Sequence, residues 1–190
     1  MSVAPANRRG ACPALSAPMV TGDGLLVRLS PVSHSLTPEQ LSGLCESAGR
    51  HGNGVVEITA RGSLQIRGLS AETAPLLADD VNGLGIDVRT GLLVETGPLA
   101  GLDPDEVADP RPLAEAISTA IADAGIAARL GPKVSVVVDG GGRFGMASVP
   151  ADLRVQAALR GGRLLWRLAL AGDAGTATSL GATSFQGAID

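Results

Sequence analysis

The chain has no tyrosine, one tryptophan and two phenylalanines, so these aromatics make up 2% of its 190 residues. Its core must therefore be aliphatic, built from Val, Leu, Ile and Ala, with Trp166, Phe144 and Phe185 as its large rings. Two cysteines, Cys12 and Cys45, form no CxxC pair and have no histidine at zinc spacing. A cluster held by four thiolates cannot be built from these two alone. Basic residues are also few: 15 Lys and Arg stand against 19 Asp and Glu, for a net charge of −4. That balance excludes a general nucleic-acid role, because phosphate binding needs a basic excess. No apolar run reaches the roughly eighteen residues of a membrane span. Residues 1–19 lack the apolar core of a secretory signal, so a cytoplasmic protein with free thiols is expected.

What is present suits a folded α+β protein. Hydrophobic residues reach 45% and charged ones 18%, enough for one domain or two small ones. Residues 1–22 read as an extended arm and Gly24–Ser30 as a strand. Thr37-Pro38-Glu39-Gln40 predicts a capped helix start, with Leu41, Leu44, Cys45 and Ala48 as its apolar face. Val55–Thr59 and Ser63–Gly68 read as strands, and Ser70 caps a second helix with Leu76, Leu77, Ala78 and Val81 inward. The order β-α-β-β-α over residues 23–95 suits a ferredoxin-like half-domain. Residues 96–112 hold four of the twelve prolines and mark the expected boundary. A helix over Pro112–Ala127 and strands over Pro132–Asp139, Leu153–Leu159 and Arg163–Ala171 follow. Gly140-Gly141-Gly142 reads as a hairpin loop, and the tail from Gly172 as the start of an uncompleted element.

The stretch from Val56 to Gly68 carries the most chemistry. Side chains alternate along a strand, so Leu64 and Ile66 face one way with Val56 and Ile58. The other face gathers Thr59, Arg61, Gln65 and Arg67, with Glu57 on the same side. Guanidiniums and neutral hydrogen-bonding groups on a rigid sheet suit recognition of carboxylates. Alternation alone favours an ordinary solvated sheet face, since polar-out strands are the rule.

The pattern T-x-R-x-x-x-Q-x-[HR]-G, here Thr59, Arg61, Gln65, Arg67 and Gly68, resembles the tetrapyrrole-contacting motif of the sulfite and nitrite reductase family. Gly97–Asp103 with Arg111-Pro112-Leu113 resembles that family's segment entering its haem-type domain, and Pro132–Val136 its lysine-bearing strand. Arg9–Pro13 followed by Gly22–Arg28 most resembles the precorrin-3B synthase family of cobalamin biosynthesis. The resemblance implies an oxygen-dependent monooxygenase family that uses a 4Fe-4S cluster and acts on a ring bearing acetates and propionates. It implies Arg28, Arg61, Gln65, Arg67 and Lys133 as carboxylate contacts, with Thr59 and Arg89 beside them. It also implies a fold in which the ferredoxin-like half-domain leads into the first part of a haem-type α+β domain, residues 96–190.

Two departures shape the expected function. Ser135 stands where the reductases often carry a second lysine. The family repeats this β-rich unit and places its cluster cysteines in the second half, whereas one copy is evident here. The expectation is an N-terminal half that binds one side of a precorrin-type tetrapyrrole, is inactive alone, and pairs with a second-half chain or with itself. A sirohaem-binding reductase fragment, a non-enzymatic tetrapyrrole-binding module and a functionless truncated product remain open alternatives. Of the other reactive residues, Cys12 reads as part of the arm and Cys45 as core. His34 and His51 have no acid or thiol at ligand spacing and read as surface residues flanking the first helix. Asp103, Asp105, Glu106 and Asp109 read as caps for the following helix rather than as metal ligands. Arg160, Arg163 and Arg167 add charge near the C-terminus.

Overall fold

The computed structural model describes residues 13–32, 35–59, 62–89, 91–131 and 133–189. The chain divides into two compact units, Met1–Thr90 and Gly91–Asp190.

The first unit contains strands β1 (Met19–Thr21), β2 (Gly24–Leu29), β3 (Val56–Ile58) and β4 (Leu64–Leu69), with helices α1 (Pro38–His51) and α2 (Thr73–Gly83). The strands form one antiparallel sheet in the order β1-β2-β4-β3. Residues 19–21, read from sequence as part of an arm, pair with β2 as its edge strand. Thr37 closes the expected capping box: its hydroxyl accepts the Gln40 N–H at 3.2 Å, and the Gln40 side chain accepts the Thr37 N–H at 3.0 Å. Ser70 caps as expected, its hydroxyl accepting the N–H groups of Glu72 and Thr73 ahead of α2.

Val27, Leu29, Leu64, Ile66 and Leu69 pack from the sheet against Leu44, Ala48, Leu77 and Val81 of the helices. Full burial of each such Val, Leu or Ile stabilises by about 1.5–3 kcal/mol. The helix faces are rotated from those expected. Cys45 is exposed, Leu41 is 46% exposed and Leu76 is 49% exposed. The reason is visible at Gly43, whose missing side chain lets Leu84 approach so closely that a Cβ would lie 2.4 Å from its Cδ2. That contact turns the Gly43–Ser47 side of α1 toward α2. Ile58 lies in register with Leu64 but is 76% exposed, because β3 is the outer strand of the sheet.

Strand β4 carries a bulge. Leu25 pairs with Leu69 and Val27 with Ile66, so β4 holds one more residue than β2 between those pairs. Gly68 takes a φ of 71° there, and a Cβ would come within 2.7 Å of the Asn53 Cβ. The bulge lets Leu69 return to the core two residues after half-exposed Arg67.

The second unit contains β5 (Val94–Glu95), α3 (Arg111–Asp123), β6 (Val136–Asp139), β7 (Ala151–Arg160), β8 (Arg163–Gly172) and β9 (Thr178–Thr183), with 3-10 turns at Ile126–Arg129 and Gln186–Ala188. The sheet order is β5-β6-β7-β8-β9. Leu113, Ala114 and Ile117 of α3 pack on Val94, Val136, Val138, Val155 and Trp166. The long helix ends earlier than expected, at Asp123, and β6 starts later, at Val136. The tail completes an element, edge strand β9.

The glycine run is not a hairpin. β6 and β7 are parallel, so residues 140–150 form a crossover strap. The glycines serve close approach: a Cβ on Gly140 would lie 2.5 Å from the Ala108 carbonyl oxygen, and one on Gly142 2.4 Å from Asp103 Oδ2. Asp103 accepts the N–H groups of Arg143 and Phe144 at 2.7 and 3.2 Å, so it anchors the strap instead of capping α3. Glu106 likewise accepts the Gly101 N–H, while Asp109 accepts the N–H of Arg111 at the start of α3.

Candidate ligand-binding site

The polar face of the first sheet is ordered by strand register. Arg28 on β2 and Glu57 on β3 both stand directly opposite Gln65 on β4. The Gln65 amide is oriented by its neighbours: its oxygen accepts from Arg28 Nη2 at 2.8 Å and Nε at 3.3 Å, and its nitrogen donates to Glu57 at 3.3 Å. Arg67 Nη1 lies 3.6 Å from the same Glu57 oxygen. Asp23, in the β1–β2 turn, receives Arg67 Nε at 3.1 Å and Nη2 at 3.2 Å. The hydrogen bond from Arg67, helped by the Thr21 hydroxyl, holds the Asp23 carboxyl below the usual carboxylate range.

The stripe Asp23–Arg67–Glu57–Gln65–Arg28 thus contains two cations and two anions. Arg67 is engaged by both acids. Arg28 is half-buried, held by a neutral amide, and has no carboxylate partner among the described residues. A guanidinium in that state has donors fixed in position and a charge not yet compensated, which suits it to an incoming carboxylate.

The sequence brought forward Arg28, Gln65 and Arg67, and these do share one face. Thr59 ends the same hairpin, but its hydroxyl accepts the Ser63 N–H at 3.1 Å and so shapes the turn. Arg89 stands beside the end of β2, its backbone N–H bonded to the Ser30 carbonyl and its Nη2 to the Val32 carbonyl at 3.0 Å. Arg61 lies outside the described residues, as do Cys12 and His34. Lys133 is exposed in the second unit, in the segment before β6.

Alternation placed Glu57 on this face with Gln65 but gave it no role. Asp23 was missed, because the bulge that brings Arg67 toward the β1–β2 turn leaves no pattern in the spacing. His51, read as a surface residue, is instead mostly buried, with its side chain 15% exposed and its Nε2 3.0 Å from Asp80 Oδ2. Ser47 at 2.6 Å and Arg50 at 2.8 Å share that oxygen.

Residues 17–83 match the model of the nitrite/sulfite reductase ferredoxin-like half domain. This segment is such a half domain. Across 174 residues, 92% of its length, the chain is 50% identical to precorrin-3B synthase from Sinorhizobium sp. It is 30% identical over 132 residues, 64% of its length, to ferredoxin–nitrite reductase from Synechococcus elongatus, of which it covers 26%. The solved structure of the Mycobacterium tuberculosis NirA protein superposes on 81% of the chain and 31% of that protein, with a TM-score of 0.58 at 17% identity, a likeness of fold. The chain spans 38% of the length of the Sinorhizobium relative.

The half domain and the unit after it do not fit an iron–sulfur cluster of their own. The sequence has two cysteines, and Cys45 is exposed on α1. Among the described residues no three His, Cys, Asp or Glu side chains converge as metal ligands. Nor is any described helix long and apolar enough to cross a membrane.

Proposed function

We propose that the chain holds the acidic side chains of a precorrin-type tetrapyrrole, as the substrate-binding portion of a precorrin-3B synthase-type oxidoreductase of cobalamin biosynthesis. The observation that carries this reading is half-buried Arg28, fixed by Gln65 without a carboxylate partner, in a chain 50% identical to precorrin-3B synthase over 92% of its length. Arg28 takes a ring carboxylate. Gln65 orients it, and Arg67 supplies a second guanidinium once a ligand carboxylate competes with Glu57. Arg61, Arg89, Thr59 and Lys133 are the remaining proposed contacts. Fixing the ring through several such pairs is the positional part of catalysis, and it holds the reacting carbon in one orientation. Cluster ligands would come from a second-half chain or segment.

The test is an anaerobic absorbance titration of the folded chain with precorrin-2, with sirohaem in parallel. Saturable binding of precorrin-2 in preference to sirohaem supports the reading. Preference for sirohaem favours the reductase-type alternative that the nitrite reductase relatives raise, and binding of neither overturns both.

A further inference from the structure

The face of the second sheet turned away from α3 has a polar site of its own. Val155, Ala157 and Trp166 pack on the α3 side, so alternation places Arg154 and Gln156 on the other. Arg167 of β8 stands directly opposite Gln156. These three residues, with Leu168, Ala169, Ala177 and Ser179, line a recess.

Arg154 is the unusual member. Its side chain is 3% exposed, yet its Nε–H is buried and has no acceptor among the described residues. Its terminal nitrogens are engaged: Nη1 bonds the Met146 carbonyl at 3.0 Å and lies 3.9 Å from Asp139, and Nη2 bonds the Val149 carbonyl. A buried donor of this kind is stabilised when an acceptor reaches it. Arg167, on the facing strand, has no ion-pair or hydrogen-bond partner among the described residues.

We infer that this recess binds a single carboxylate group, received by Arg154 and Arg167. Asp139 lies 3.9 Å from Arg154 and Asp173 is close enough to feel its charge, so two acids already stand beside the two guanidiniums. Those acids would repel a dianionic phosphate more strongly than a singly charged, planar carboxylate, which also fits a guanidinium edge. The recess belongs to the second unit and the Arg28 face to the first, and the inference stands whether or not that face binds a ring.

The experiment follows the Arg154 Nε–H signal by NMR in the full chain during titration with propionate, with chloride at matched ionic strength as control. The expected result is a saturable shift with propionate alone. It should weaken at least fivefold in Arg167→Gln. A parallel titration with uroporphyrin separates sources, since a shift at much lower concentration assigns the carboxylate to a macrocycle and its absence assigns it to a small acid. No saturable shift, or an equal shift with chloride, overturns the proposal and leaves a hydrated recess.

Discussion

Arg28 Nη2 lies 2.8 Å from the side-chain oxygen of Gln65, its direct partner across β2 and β4. The amide can hold the guanidinium in place without neutralising it. A carboxylate at position 65 would hold it and neutralise it as well.

Gln65→Glu should therefore leave the fold intact and weaken binding of an acidic tetrapyrrole about tenfold or more, because an internal carboxylate then competes for Arg28. Equilibrium titration beside a thermal melt checks this. An unchanged affinity would separate Gln65 from ligand recognition.

Glu57→Gln makes the opposite change. It removes the anion 3.6 Å from Arg67 and keeps a hydrogen-bonding group beside Gln65. Affinity for the same ligand should rise about threefold to tenfold, with the largest gain at low salt. A fall in affinity would mean that Glu57 contacts the ligand favourably.

Asp80 joins the two helices of the first unit. The Ser47 hydroxyl, then the Arg50 guanidinium, hold its carboxyl down from 3.8 to about 2. A lowered folded-state value means that its contribution to stability is present above about pH 4 and is lost as pH falls toward about 2. Denaturation followed between pH 5 and 2 should show this loss in the parent and a flatter limb in Asp80→Asn. Asp80→Ala leaves the buried Ser47 hydroxyl without its acceptor and should cost about 1–3 kcal/mol at neutral pH.

Gly68→Ala tests the bulge. The substituted residue would have to keep a φ of 71° and meet Asn53 at 2.7 Å. A loss of about 1–3 kcal/mol is expected, together with weaker ligand binding as Arg67 moves. Chemical denaturation and titration of one sample report both.

Local chemistry was legible in the sequence where one residue decides it. The Thr37–Gln40 box placed the start of α1, and alternation placed Gln65 and Arg67 on one face, to which the family resemblance added Arg28. Long-range geometry was hidden. The 3.6-residue period of α1 allows Leu41 and Cys45 inward as readily as Leu44 and Ser47, and the contact between Gly43 and Leu84 decides between them. The run Gly140–Gly142 looks the same as a turn or as a strap pressed on Asp103. Its reading as a hairpin failed because β6 and β7, the strands it joins, pair in parallel, which a glycine run does not reveal. The family motif pointed to the cations, while their compensation by Asp23 and Glu57 came from register and the bulge at Gly68.

The most direct test is the affinity ratio between the parent and Arg28→Ala for precorrin-2, measured anaerobically with both proteins shown to be folded. The account predicts that the variant binds at least tenfold more weakly, with the same thermal midpoint to within a few degrees. Equal affinities would contradict it and place tetrapyrrole recognition, if the chain performs it, elsewhere on the molecule.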